Sequence, residues 1–265
     1  MEQSWARPDQ TERLYGGGEY QSGFLARGGA PLEIVQRNTE AALPYFVSTK
    51  GYGILWDNAA RTWLNWPSEE LSLAPAAWAM EEAGEKQINP VPLDEEAEEA
   101  VERHHTTAVE VAASGTHYFT VYCDGIDYGA SGPATARLFV YDDADDFEAT
   151  VIDWYMQHNK PPSLSGAVEL EAGKTYGVSL VTSDCCVPFK RTHRVGGFRL
   201  LLSRPPKDPS SSTTTLKSAL GDFLDYYVVV AGDVRSSSRT STSTSTSTST
   251  STTVFDALVA QYRTL

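Results

Sequence analysis

The sequence predicts an all-β protein, and three observations carry that prediction. Short runs rich in Val, Ile, Leu, Tyr and Phe recur along the 265 residues. Several of them alternate apolar with polar positions, the period of two of a half-buried strand. Gly, Pro, Asn and Asp gather between the runs, where turns are needed. No amphipathic helical pattern fills the spaces between neighbouring strands, so the crossovers of a parallel sheet are not indicated. Short strands at this spacing argue for a β-sandwich.

Taken in order, residues 12–68 are rich in Gly and aromatics. The cluster Tyr15-Gly16-Gly17-Gly18-Glu19 lacks the Gly-Lys-Ser/Thr ending and the following helix of a phosphate loop. It reads as backbone turns at positive φ. Leu32–Gln36 reads as a strand and Arg37-Asn38-Thr39-Glu40 as a polar loop. Tyr45–Ser48 and Tyr52–Trp56, separated by Thr49-Lys50-Gly51, form the strongest local signal, a β-hairpin with a short Gly-containing loop. Gly53, inside the second run, marks either a bulge or a close approach of backbone.

Residues 69–104 change character. Between Glu69 and Glu102 stand eleven acidic residues and one basic residue, Lys86, which supply ten of the fourteen net negative charges. This segment reads as a solvated acidic connector, with a short acidic helix possible over Asp94–Glu102. Residues 105–203 return to strands: Thr107–Val111, His117–Cys123, Ala136–Tyr141, Glu148–Ile152 and Phe198–Leu202, with Gly166–Leu170 and Thr175–Leu180 as the clearest pair, joined at Ala172-Gly173. Residues 204–218 read as a linker by composition. Phe223–Ala231 is one more strand. The Ser/Thr tract of residues 236–253 buries no apolar surface and is expected to be disordered. Thr253-Val-Phe-Asp256 then reads as a capping box, with Val254, Leu258 and Tyr262 on one helical face.

Composition excludes several function classes. With a net charge of −14 and no basic patch, a nucleic-acid partner is not expected. No 18-residue apolar run occurs, so no membrane-spanning helix is expected, and the N-terminus lacks the apolar core of a signal peptide. Cys123, Cys185 and Cys186 have neither the spacing of a zinc site nor the even count of a disulfide framework, and read as reduced thiols. No cofactor or metal is expected.

Five segments, taken in order, resemble the N-terminal region of glycoside hydrolase family 31, the α-glucosidase and α-xylosidase family: Leu14–Glu19, Val35–Thr39, Pro44–Asn58, Leu224–Gly232 and Ala257–Leu265. A second resemblance lies between them. His117–Cys123, Arg137–Tyr141, Val151–Trp154 and Ser165–Tyr176 are similar to the anthrax protective-antigen-type β-sandwich, a module that some α-xylosidase-like members carry at this place. The fold implied is all-β: a galactose-mutarotase-like β-sandwich interrupted by a second β-sandwich, with a short C-terminal helix. The implied division is residues 1–68, connector 69–104, insert 105–203, linker 204–218 and a returning portion 219–265. The Ser/Thr tract interrupts the match between Gly232 and Phe255 as an unremoved intron would.

The resemblance also implies chemistry. Family members hydrolyse α-glycosidic bonds with retention, using two carboxylates on a barrel. Such a barrel takes about 200 residues or more, and the residues left outside the insert are too few and too strand-rich to form one. No catalytic residue is therefore assigned. Asp57, in Trp56-Asp57-Asn58, is read as a turn or hydrogen-bonding residue. The substrate-binding candidates are Arg37, Asn38 and Thr39, because in the family this loop reaches over the sugar pocket. Asn38 either hydrogen-bonds vicinal hydroxyls or caps a turn. The implied partner is an oligosaccharide, of xyloglucan type by resemblance only, together with a catalytic barrel. Asp142-Asp143-Ala144-Asp145-Asp146 is read as a solvated acidic turn in preference to a calcium site. Trp154 is read as core in preference to a sugar platform. The alternatives are a free-standing carbohydrate-binding protein and a truncated gene product without a function of its own.

Overall fold

The computed structural model describes residues 2–7, 11–20, 22–36, 40–58, 60–75, 102–123, 135–155, 163–183, 198–219 and 226–230. These residues are all-β, and no helix among them is long and apolar enough to cross a membrane. The strands in order are β1 (Glu2–Ala6), β2 (Leu14–Glu19), β3 (Leu32–Ile34), β4 (Ala41–Ser48), β5 (Tyr52–Trp56), β6 (Thr62–Leu64), β7 (Glu69–Leu71), β8 (Ala74–Pro75) and β9 (Glu102–Glu110). They continue as β10 (Gly115–Cys123), β11 (Thr135–Asp142), β12 (Phe147–Tyr155), β13 (Ser163–Leu170), β14 (Thr175–Ser183), β15 (Phe198–Ser203), β16 (Thr213–Ser218) and β17 (Tyr226–Val230).

Four antiparallel sheets result, in the orders β1-β16-β6-β3, β17-β5-β4-β2, β13-β10-β15-β7 and β12-β11-β14-β9-β8. The first two enclose one core. Leu14, Phe46 and Trp56 meet Leu32, Ile34, Leu64 and Leu216 there. The other two enclose a larger core, in which Phe119, Val121, Leu170, Leu200 and Leu202 face Val109, Leu138, Val140, Ile152, Trp154, Val178 and Leu180. Alternate side chains of each strand point inward, which is how a sandwich buries one face of each sheet. β6 and β16 are paired across the whole length of chain that builds the larger sandwich.

The β4–β5 hairpin forms as the sequence predicts, with Tyr45 opposite Leu55 and Ser48 opposite Tyr52. Gly53 marks a close approach and not a bulge: the register is unbroken, and a Cβ at Gly53 would stand 2.6 Å from the Tyr45 hydroxyl. The bulge lies elsewhere, between Gly16 and Gly17 opposite β4. The glycine cluster does have positive φ, at 119°, 87° and 114° for Gly16, Gly17 and Gly18. It is a strand and not a turn, because glycine lets β2 follow β4 past the extra residues Pro44 and Tyr45 at angles that side chains resist.

Three further expectations are corrected. β13 and β14 are not a hairpin: β13 pairs with β10, whereas β14 pairs with β11 and β9. The donors of the intervening turn explain this. Gly173 N–H donates to Val111 O at 2.8 Å and Ala172 N–H to Ser114 Oγ at 2.8 Å. The turn thus binds the neighbouring β9–β10 connection, which also crosses from one sheet to the other. Within the segment read as a linker, Thr213–Ser218 is a strand with Thr214, Leu216 and Ser218 buried. Within the acidic connector, Glu69–Leu71 and Ala74–Pro75 are strands paired with β15 and β9. The short acidic helix, the Ser/Thr tract, the C-terminal helix, Cys185 and Cys186 lie outside the described residues.

Candidate functional site

Arg37, Asn38 and Thr39 also lie outside the described residues; what can be built is the frame that holds them. Gln36, at the end of β3, and β4 flank them. The Gln36 side chain spans the gap: its Nε2 donates to Glu40 O at 2.7 Å, and its Oε1 accepts from Ala42 N–H at 3.1 Å. One amide thereby satisfies two backbone groups, as a turn-closing side chain does. Arg27, within the field of Glu40, is only 3% exposed, with its NH1 donating to Ser22 Oγ at 2.9 Å and its guanidinium 5.6 Å from the Tyr20 ring centroid. Burial lowers the Arg27 pKa, against the opposing fields of Tyr20 and Glu40. Glu40 is likewise buried. Sequence reading missed Gln36, Arg27 and Glu40 as a frame. A charged pair on either side of a short apolar strand was the available signal.

A second feature is a cleft of about 1130 Å³ lined from both sandwiches, by Arg7, Trp63, Trp66, Tyr118, Glu69 and Arg204 among others. Its lining is mixed, with Trp63, Trp66 and Tyr118 among charged and small polar residues, and further aromatic rings pack against these three. The Trp63 and Trp66 centroids lie 6.5 Å apart, Trp66 meets Tyr122 edge-on at 6.2 Å, and Phe24 meets Tyr118 at 5.7 Å. Two guanidiniums lie over rings of this aromatic group, Arg61 5.2 Å from Trp63 and Arg199 4.7 Å from Tyr122. Arg61 also pairs with the buried Glu33 and donates to the Tyr122 hydroxyl at 3.4 Å. β3, β6 and β10 are thus joined across the two sandwiches.

The other side of the cleft carries a forked ion pair. Arg204 Nε and NH2 reach the two Glu69 oxygens at 2.7 and 2.8 Å, and NH1 donates to Glu110 O at 2.5 Å. The Arg204 hydrogen bonds, ahead of burial, hold the Glu69 carboxyl below its usual range. His117 is buried close by, with Nδ1 3.0 Å from Gly115 O. Burial lowers its pKa, aided by Arg204 and opposed by Gly115, Glu169 and Glu69.

The sign of the resulting pH dependence follows. The unfolded chain takes up the His117 proton near pH 6.5, the folded chain only at a lower pH. The contribution of His117 to stability is therefore whole above that value and is lost as pH falls toward the folded pKa. The urea midpoint should drop between about pH 7.5 and 5.5, and drop less in His117→Gln, which cannot titrate. Parallel pH profiles for the two proteins would refute this. The Glu69 contribution fades only below pH 4.5, its ordinary value.

The remaining candidates fall into place. Trp56 is fully buried and donates from Nε1 to Ser218 Oγ at 2.9 Å. Asp57 stands exposed in the turn that follows, where Asn58 Oδ1 accepts from Ala60 N–H at 2.8 Å. Residues 143–146 are an exposed turn closed by Asp142, whose Oδ1 accepts from Ala144 N–H at 3.1 Å. Lys174 bridges Asp145 at 2.5 Å and Glu171 at 2.8 Å, which raises its own pKa. Trp154 is 3% exposed and belongs to the larger core. Among the described residues, no group of three or more His, Cys, Asp or Glu side chains is arranged to hold a metal ion.

Fold and frame define a double β-sandwich with a cleft lined from both halves. No family model matches the chain. It is 49% identical over 51 residues to an uncharacterized family 31 glucosidase of Pseudescherichia vulneris, a match covering 19% of this chain and 10% of that protein. It is 43% identical over 58 residues to an alpha-xylosidase of Saccharolobus solfataricus, covering 18% of this chain and 8% of that protein. Among solved structures, the GH31 alpha-xylosidase of Xanthomonas citri shares the fold, with a TM-score of 0.57 and 22% identity over 86% of this chain and 26% of that one. These likenesses relate the chain to glycoside hydrolase family 31. The matched stretches span a tenth or less of the two curated relatives.

Proposed function

We propose that these residues form the non-catalytic β portion of a family 31 α-glycosidase of the α-xylosidase or α-glucosidase type. They bind carbohydrate and shape the outer part of a pocket, while hydrolysis takes place on a barrel outside them. The observation that carries this reading is the 49% identity over 51 residues to a family 31 glucosidase, supported by 43% identity over 58 residues to an alpha-xylosidase. The domain reading goes with it: a second sandwich, of protective-antigen type, set into the first. The pairing of β6 with β16 on either side of that unit, and its separate core, support this arrangement.

The carbohydrate contact is assigned to Asn38, with Arg37 and Thr39 beside it. An amide offers a donor and an acceptor to adjacent sugar hydroxyls, and the Gln36 side chain ties together the residues on either side of this stretch. Xyloglucan oligosaccharides are the ligand class to try first. The 265-residue chain should bind them in isothermal titration while leaving 4-nitrophenyl α-xyloside and α-glucoside intact. Asn38→Ala should weaken binding about fivefold, the equivalent of one net hydrogen bond of about 1 kcal/mol. Turnover of either nitrophenyl glycoside by the purified chain would overturn the non-catalytic assignment. Unchanged affinity in Asn38→Ala would remove that residue from the site.

A further inference from the structure

Among the described residues, the cleft between the two sandwiches holds one guanidinium without a counter-ion. Arg7 follows β1, and its backbone N–H donates to Ser212 O at 2.7 Å. Its side chain lines the cleft, half-buried, with Nε buried and lacking any hydrogen-bond partner. The other charges of the lining are engaged. Arg204 forks onto Glu69, and Lys217 Nζ lies 3.8 Å from Glu2. Glu12 accepts from the Ser48 and Tyr52 hydroxyls, Glu169 accepts from the Thr116 hydroxyl, and Arg13 donates to Glu12 O at 3.4 Å. Two glycines make room for Arg7. A Cβ on Gly28 would collide with Arg7 Nη1, and one on Gly29 would lie 3.7 Å from both Arg7 Nη2 and the Tyr118 hydroxyl oxygen. The guanidinium and that hydroxyl therefore flank one spot over bare backbone. Asn65 fixes the surroundings: its Nδ2 donates to Arg27 O at 3.2 Å, and its Oδ1 accepts from Thr215 N–H at 3.0 Å.

We infer that this cleft is a second saccharide site, for an oligosaccharide bearing a uronic acid, with Arg7 holding the carboxylate. That the ligand is a saccharide rests on the function proposed above; that it is acidic comes from Arg7. A guanidinium presents paired N–H donors that match the two oxygens of a carboxylate. A half-buried cation without a counter-ion has lost hydration that an arriving anion replaces, which a neutral hydroxyl does only in part. Trp66 and Tyr118, both half-buried in the same lining, supply rings against which the apolar face of a sugar packs. Trp63 is less suited, because Arg61 already lies over its ring. At about 1130 Å³ the cleft is larger than the usual small-ligand pocket of about 300–1,000 Å³, so it has room for several sugar rings. It shares none of its lining with the stretch Arg37–Thr39.

Isothermal titration of the full chain tests this, with a xylotriose bearing one glucuronic acid residue and with its carboxyl-reduced counterpart. The acidic form should bind about tenfold more tightly, the gain expected of hydrogen bonds between charged groups. Arg7→Gln should make the two affinities equal. Gly28→Ala should do the same, because Gly28 lacks a left-handed φ and its new Cβ displaces only the end of the Arg7 side chain. Xyloglucan-oligosaccharide binding should be unchanged in both variants, showing that the fold is intact. Equal affinities in the wild-type chain overturn the inference, and leave the Asn38 reading standing where xyloglucan oligosaccharides still bind. A preference that survives Arg7→Gln also overturns it, since the carboxylate would then be held elsewhere. Failure to bind any of these saccharides overturns this inference and the carbohydrate reading together.

Discussion

Trp56→Ala is expected to destabilise the smaller sandwich by about 3–5 kcal/mol, the range for removing a buried Trp side chain. Trp56 is fully buried where β5 faces β6 and β16, so its loss opens a cavity bounded by two sheets that cannot close independently. The loss is also polar. Trp56 Nε1 donates to Ser218 Oγ at 2.9 Å, and Ser218 Oγ shares a hydrogen bond with Thr62 Oγ1 at 2.7 Å. All three residues are at most 2% exposed, so a broken link is not repaired by water. Trp56→Phe separates the two parts. It keeps most of the apolar volume and removes only the N–H, and should cost about 1–2 kcal/mol. Urea unfolding followed by circular dichroism gives both values. A loss below about 1 kcal/mol for Trp56→Ala would mean that β16 does not seal this core.

That network shows where the sequence was legible and where it was not. Trp56 belonged to the hairpin readable from two aromatic runs around Thr49-Lys50-Gly51, because local turn chemistry and alternation fix a hairpin without outside help. Its partner Ser218 lay in a stretch that composition marks as linker. Thr214, Leu216 and Ser218 point inward there, and short hydroxyl side chains are tolerated in a core when each hydroxyl is bonded. Composition cannot show that, since the bonds reach back to residues 56–62. The same limit explains β13 and β14. Both strands were visible, but whether a short turn closes a hairpin or spans two sheets depends on Val111 and Ser114, which receive its amide donors. The candidate loop was legible only through family resemblance. Its frame of Gln36, Arg27 and Glu40 required the coordinates, because a side-chain hydrogen bond joins Gln36 to Glu40 and only the folded chain brings Arg27 into the field of Glu40.

The second large effect is expected at Gly18. Gly18→Ala should destabilise by about 2–5 kcal/mol, combining about 1–2 kcal/mol for a left-handed backbone with about 1–3 kcal/mol for overpacking. Gly18 has φ of +114°, and a Cβ there would lie 1.8 Å from Ala41 O and 2.9 Å from Leu43 N. Both atoms are β4 backbone, so no rotamer change relieves the clash; the strand itself must move. Gly173 supplies the control. It too has positive φ, at 84°, but its Cβ would meet nothing within 4 Å, so Gly173→Ala carries only the backbone part. Equal losses in the two variants would show that the close approach of β2 and β4 contributes nothing. The site gives a second reading of the same pair. Ala41 opens β4, separated from Arg37–Thr39 in sequence by Glu40 alone, and Ala42 N–H is held by Gln36. Displacing Ala41 therefore disturbs the Gln36–Ala42 contact that flanks the proposed binding residues. Xyloglucan-oligosaccharide binding should weaken in Gly18→Ala under conditions where the chain remains folded, and stay unchanged in Gly173→Ala, whose turn belongs to the other sandwich.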